Sequence, residues 1–119
     1  MPRLDISAEP VVHDKHLFEQ LLAVARRIDP EIRSGSMFGC PAVYRGRKMA
    51  TCVYGTEIGM RVPRDVALES VTSGRTMPFQ PYGKPAMKEW IKLDGGAQAL
   101  ESGRDLIAAA IAYAEANND

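Results

Sequence analysis

The stretch from Ile32 to Val62 constrains this chain most. It reads as three β-strands, IRSGSMFGCPAVYR, KMATCVY and EIGMRV, joined at Gly46-Arg47 and Gly55-Thr56. Glycine at the first central position of a two-residue loop suits a type II′ turn, which needs φ > 0 there. Fixed loops fix the register. Tyr44 is then expected opposite Met49, Ala42 opposite Thr51, Val53 opposite Ile58, Thr51 opposite Met60, and Met49 opposite Val62. Side chains alternate between the two faces of a strand. One face therefore collects Phe38, Cys40, Ala42, Tyr44, Met49, Thr51, Val53, Ile58, Met60 and Val62. The other receives Ala50, Cys52, Tyr54, Glu57, Gly59 and Arg61. This register sends Cys40 and Cys52 to opposite faces as free thiols; a loop one residue longer would set them directly opposite. A meander with one apolar face must be covered.

The flanking sequence supplies the cover. Residues 1–12 read as a tail or extended arm. A helix is expected from His13 or Asp14 to Ile28, where Leu17, Leu21, Val24 and Ile28 form one stripe and Asp29-Pro30 ends it. A second, shorter helix opens at Pro63-Arg64-Asp65 and runs to about Ser73, burying Ala67, Leu68 and Val71, with Gly74 as its stop. Residues 77–80 suggest a short fourth strand and Ala86 to Leu93 a fifth. The last helix, roughly 103–116, carries Leu106, Ile107, Ala110 and Ile111, with Ser102 as N-cap and Asp105 near its positive end. Residues 117–119 are expected to fray. The order α-β-β-β-α-β-β-α predicts one α+β domain over 1–119, in two layers. Its five-stranded, mainly antiparallel sheet carries helices chiefly on one face. Leu17, Leu21, Phe38, Val53, Ile58, Met60, Val62, Leu68, Ile107 and Ile111 are its expected core.

Composition narrows the function classes. With 119 residues, 45% of them hydrophobic, the chain can bury a core without metal or disulfide. Lys+Arg and Asp+Glu are both 15, giving a net charge of zero. Neutrality disfavours nonspecific binding to nucleic acid or a membrane surface. No run approaches the roughly 20 apolar residues of a membrane span. The start, MPRLDISAEP, lacks the apolar core of a secretory signal, so a cytoplasmic location is expected.

Few residues suggest chemistry. His13, His16 and Glu19 lie one helical turn apart, but ligand type and spacing fit an exposed helix face better than a metal site. Arg45, Arg47 and Lys48 crowd a hairpin tip and are candidate contacts for a phosphate or an acidic partner; solvated charges at a loop tip are the simpler reading, and nucleic-acid contact is disfavoured because the chain is neutral and no aromatic platform beside them is evident. A reactive cysteine needs a base or a positive environment, and neither histidine can be placed beside Cys40 or Cys52. Ser34-Gly35-Ser36 is no nucleophile elbow, and Gly95-Gly96 has no phosphate-loop spacing. Tyr82 and Trp90 are candidates for a cleft or a partner surface, with core packing the favoured reading for Trp90. The expectation is a non-enzymatic chain with no catalytic, cofactor-binding or metal residues.

Met37-Phe38-Gly39, Met49-Ala50, Met60-Arg61-Val62, Pro78-Phe79 and Gly83-Lys84-Pro85-x-Met87-x-x-Trp90 occur in that order. In this series the chain resembles the TfoX N-terminal domain family, over nearly its whole length. The resemblance implies a fold related to secretion chaperones and YjbR-like proteins, and a regulatory or protein-interaction role, with no established catalytic residues to carry over. The related fold class includes dimers, so an unidentified protein partner and self-association are both expected. Two departures stand out. Cys40-Pro41 follows where the family often has a second glycine, and a kink or bulge is expected there. The helical C-terminal domain of the full-length competence regulators has no counterpart in these residues, so their transcriptional role does not transfer. The alternative is a small-ligand-binding protein or small enzyme with a pocket against the sheet.

Overall fold

A computed structural model describes residues 11–118, so most of the expected N-terminal arm and Asp119 fall outside the described residues. Helix α1 spans Lys15–Ile28. It starts where Asp14 Oδ1 accepts a hydrogen bond from the Leu17 N–H at 3.0 Å, satisfying one otherwise orphaned donor. Leu17, Leu21 and Ala25 bury its inner stripe. Four strands follow: β1 (Ile32–Met37), β2 (Cys40–Arg45), β3 (Lys48–Tyr54) and β4 (Glu57–Arg61). Then come α2 (Arg64–Thr72), β5 (Met77–Pro78), β6 (Trp90–Leu93), α3 (Ala97–Ser102) and α4 (Arg104–Ala116). The sheet order is β1-β2-β3-β4-β6-β5, with every neighbouring pair antiparallel. The architecture is the expected α+β, with six strands rather than five.

The additional strand comes from Met-Phe-Gly. Residues 32–45 do not form one strand; they fold back at Phe38-Gly39, so that Met37 pairs with Cys40. Phe38 has φ 53° and Gly39 φ 80°. Two consecutive positive values define a type I′ hairpin turn. A phenylalanine in the left-handed region is costly and has no sequence signal of its own. The expected kink at Cys40-Pro41 is thus a reversal two residues earlier. The next two loops follow expectation: Gly46 and Gly55 have φ 65° and 61°, while Arg47 and Thr56 keep negative values, as type II′ requires.

The second departure lies inside β3. Tyr44 pairs with Met49 as expected, but Val43 pairs with Thr51 and Ala42 with Cys52. Between these pairs β2 advances one residue and β3 two, so Ala50 is the extra residue of a β-bulge. Met49 does not reach a partner at Val62, because the β3–β4 ladder runs from Tyr54–Glu57 to Thr51–Met60. The bulge flips part of the expected face. Val43, Ala50, Val53, Ile58, Met60, Val62, Ile91 and Leu93 pack in one core with Leu17 and Leu21 of α1, Ala67 of α2, Leu100 of α3 and Ile107 and Ile111 of α4. Cys40, Ala42, Met49 and Cys52 join Phe79 in a second cluster on the opposite, helix-free face. Both cysteines therefore share one face, contrary to expectation, and remain free thiols.

Two expected core residues are exposed: Phe38 by 63% and Leu68 by 69%. In α2 the inner positions are Ala67 and Ser70, which leaves Leu68 facing outward. Ser102 does not cap α4; its hydroxyl donates to the Gln98 carbonyl and closes α3. Gly103 forms the joint between α3 and α4. A Cβ there would strike the Leu93 side chain and lie 2.8 Å from the Ala99 carbonyl oxygen. The chain end does not fray at Asn118. Its amide donates to the carbonyls of Arg45 and Ala114, both at 2.6 Å, and accepts from the Arg47 N–H at 2.7 Å.

Two substitutions test this packing. Thr51 is fully buried beside the bulge, and its hydroxyl finds no hydrogen-bond partner among the described residues. Thr51→Val keeps the shape and removes the unpaired group, so urea unfolding should show a gain of about 1 kcal/mol. A Cβ at Gly59 would sit 2.8 Å from Phe79 Cζ. Gly59→Ala should therefore cost about 1–3 kcal/mol by overpacking. The added Phe79→Leu change should recover part of that loss; strict additivity of the two would contradict the contact.

Candidate functional site

The second cluster lies beneath the segment between β5 and β6. Pro81–Gly83 forms a single 3₁₀ turn in which Tyr82 has φ 56° and ψ 29°. This is the second bulky left-handed residue in the chain, and it faces the first. The Tyr82 hydroxyl donates to the Phe38 carbonyl at 2.9 Å, and the Tyr82 N–H donates to the Tyr54 hydroxyl at 3.1 Å. Cys40 Sγ lies 3.8 Å from the Tyr82 hydroxyl. Lys84 Nζ sits 4.9 Å from the centre of the Phe38 ring, a cation–π contact. The two strained turns are thus clasped to each other across the sheet, as strained residues must be to persist. Aromatic packing extends the clasp. Tyr54 meets Tyr82 and Phe79 edge-on at 5.0 and 6.0 Å, and Phe79 stacks on Trp90 at 6.0 Å.

Beside the clasp is an apolar pocket of about 210 Å³. Phe38, Cys40, Cys52, Phe79, Met87 and Trp90 line it, with Lys84 at its rim. An open cleft of about 600 Å³ adjoins it and shares Met37, Met87 and Trp90. Four cations line that cleft, Arg47, Lys48, Arg61 and Lys88, against one acid, Glu89. Arg61 and Glu89 form an ion pair at 2.9 Å. The Glu89 carboxyl is held below its usual range, first by the hydrogen bond from Tyr113 and then by Arg61.

The thiols are poor nucleophiles. Burial pushes Cys52 up to about 12, and burial also raises Cys40 against the opposing hydrogen bond with Tyr82. His13 is occupied elsewhere: its Nδ1 accepts from the Gly55 N–H at 2.9 Å, anchoring the β3–β4 hairpin to the start of α1. His16 is left 4.0 Å from Glu19 on an exposed face. Among the described residues no group of three or more His, Cys, Asp or Glu side chains is placed to hold a metal ion.

The expected interaction residues separate. Tyr82 forms the clasp and Trp90 lines both cavities. Arg47 and Lys48 reach the cleft, but Arg45 turns away to Asp29 at 2.7 Å and Glu115 at 3.4 Å. The Asp29 carboxyl is held low, first by its hydrogen bond from Arg45 and then by the Glu31 N–H. Arg45 therefore ties β2 to the end of α1 and is structural. Phe38, Lys84, Met87 and Lys88 belong to the site; the sequence placed Phe38 in the core and Phe38, Lys84 and Met87 in the family-like series, but marked none of the four as a site residue. The signals available were the Phe-Gly dipeptide and the proline-rich run at 81–85, both turn chemistry. No helix among the described residues is long and apolar enough to cross a membrane. Comparison with family models, curated proteins and solved structures gives no match.

The buried thiol makes alkaline stability a test of this geometry. Above pH 9 the unfolded chain releases the Cys52 proton while the folded chain keeps it to about pH 12. Its stabilising contribution is complete below pH 9 and falls as pH rises, by at most roughly 1.4 kcal/mol per pH unit. The urea midpoint of Cys52→Ala should decline less steeply between pH 9 and 11 than that of the parent. Parallel declines would mean that Cys52 is not buried as described.

Proposed function

We propose that this chain is a non-enzymatic regulatory or protein-interaction module of the TfoX N-terminal kind, acting in the cytoplasm. It binds a partner protein through the helix-free face of its sheet. The observation that carries this reading is the apolar pocket with Phe38, Tyr82 and Met87 exposed by 63%, 48% and 53% around it. Exposed apolar side chains gathered around a concavity mark interaction surfaces rather than ordinary solvent-facing positions. Nothing comparable in ionisable chemistry lines the pocket: its titratable groups are two thiols pushed upward and the Lys84 ammonium.

The competing reading, a small ligand or substrate in that pocket, is weighed by size. Small-molecule sites usually offer roughly 300–1,000 Å³. The enclosed pocket, at about 210 Å³, lies below that range and suits one inserted side chain; the adjoining cleft of about 600 Å³ is open, with half of its lining residues charged, and suits the chain that flanks it. The face is also a better partner surface than the free edge of β1. Tyr44 crosses that edge, its ring against Gly35 and its hydroxyl donating to the Ser36 carbonyl at 2.8 Å. A homodimer formed by edge pairing would have to displace it.

A photo-crosslinking amino acid at Phe38 or Met87 should capture one defined protein in the native host, and the same probe at Gln20 on α1 should not. Met87→Asp should abolish the capture with no loss of thermal stability. Turnover of a metabolite that disappears in Cys40→Ala, with the fold intact, would overturn the reading in favour of an enzyme.

A further inference from the structure

We propose that the thiol-lined pocket and the basic cleft form one continuous docking site for an acidic peptide segment bearing a single large apolar anchor. This rests on the interaction-module reading above and adds the chemistry of the partner. The two cavities share Met37, Met87 and Trp90 and so adjoin, and an extended chain can place neighbouring residues in each. The pocket accepts the anchor: its wall is aromatic and sulfur-bearing, and its volume is that of one side chain. The cleft accepts what flanks the anchor. Lys48 and Lys88 are exposed there, Arg47 lies beside them, and Lys84 stands at the pocket rim.

Charge complementarity selects the acidic class. The cleft lining holds four cations and one acid; Arg61 and Glu89 pair with each other, and the exposed Lys48 and Lys88 face an incoming segment. A basic or neutral segment would place nothing against Lys48 and Lys88, whereas carboxylates there gain attraction and raise the rate of encounter. A nucleic-acid strand would share the charge requirement, but the pocket wall of aromatic rings, Met87 and two thiols offers little to the polar edge of a base. A peptide anchor matches it.

The test uses the intact chain and two fluorescein-labelled probes, the heptapeptides EEDFEDE and KKKFKKK, followed by polarisation at low salt. The acidic probe should bind at least tenfold more tightly than the basic one. That advantage should shrink severalfold at 0.5 M NaCl. Lys48→Glu/Lys88→Glu should weaken the acidic probe at least tenfold. Replacing the probe's phenylalanine by alanine, or Met87 by aspartate, should weaken it as much. Both variants change exposed side chains, and circular dichroism checks that they fold. Equal binding of the two probes, each lost in Met87→Asp, would refute the acidic class and leave the interaction face standing. Absence of binding by either probe would overturn the docking site. An oligodeoxythymidine that binds more tightly than the acidic probe, with the same loss in Lys48→Glu/Lys88→Glu, would overturn the proposal in favour of nucleic acid.

Discussion

One extra residue in β3 decides what each face of the sheet receives. Ala50 has no partner of its own in β2, so Met49 and Cys52 emerge on the same side, three positions apart, while Ala50 and Val53 share the other. A strand without the bulge would alternate strictly, and Met49 would join Thr51 and Val53 beneath the helices. The bulge therefore removes the large Met49 side chain from the helix side and puts the small Ala50 there. It leaves room for α4, which packs directly over β3 and β4. The same shift builds the opposite cluster, since Cys52 now sits with Cys40 and Ala42 and provides the floor for Phe79. Fold and candidate site thus rest on the same inserted residue.

Above that floor the site is held by paired strain. Phe38 and Tyr82 each adopt a left-handed conformation that costs on the order of 1 kcal/mol or more. Each is held by the other: the Tyr82 hydroxyl satisfies the Phe38 carbonyl, and Tyr54 fixes the Tyr82 backbone. The result displays the Phe38 ring at the pocket mouth instead of burying it. The strained pair thus sits beside an apolar pocket with the Phe38 ring exposed.

The sequence carried the periodic parts of this structure and missed the aperiodic ones. Helix α1 was legible from its apolar stripe and its Asp-Pro end, and the two Gly-x loops were legible because glycine reports positive φ directly. The turn at Phe38 was hidden because the residue that bends the chain is one that rarely does so. The bulge was hidden for a different reason. Met49, Ala50, Thr51, Cys52 and Val53 are all buried, so the strand shows no polar alternation by which an inserted residue could be detected. Of the site, Tyr82 and Trp90 were visible as large aromatic residues near turns. Met87 and Lys88 were not, because they were assigned to a strand that in fact begins only at Trp90.

Net charge says nothing of where the charges lie. The formal total is zero, and neutrality argues against any strongly charged surface when charges are evenly mixed. They are not evenly mixed. Asp29 and Glu115 are drawn to Arg45, Asp105 to Arg75 and Glu57 to Lys92. These acids are engaged by cations that do not line the cleft, and among the described residues Glu89 is the one acid that lines the cleft with Lys48 and Lys88. Fields are screened over roughly 8–10 Å at physiological salt, so an approaching segment responds to the local sum and not to the total. A chain of zero net charge can therefore present a basic cleft.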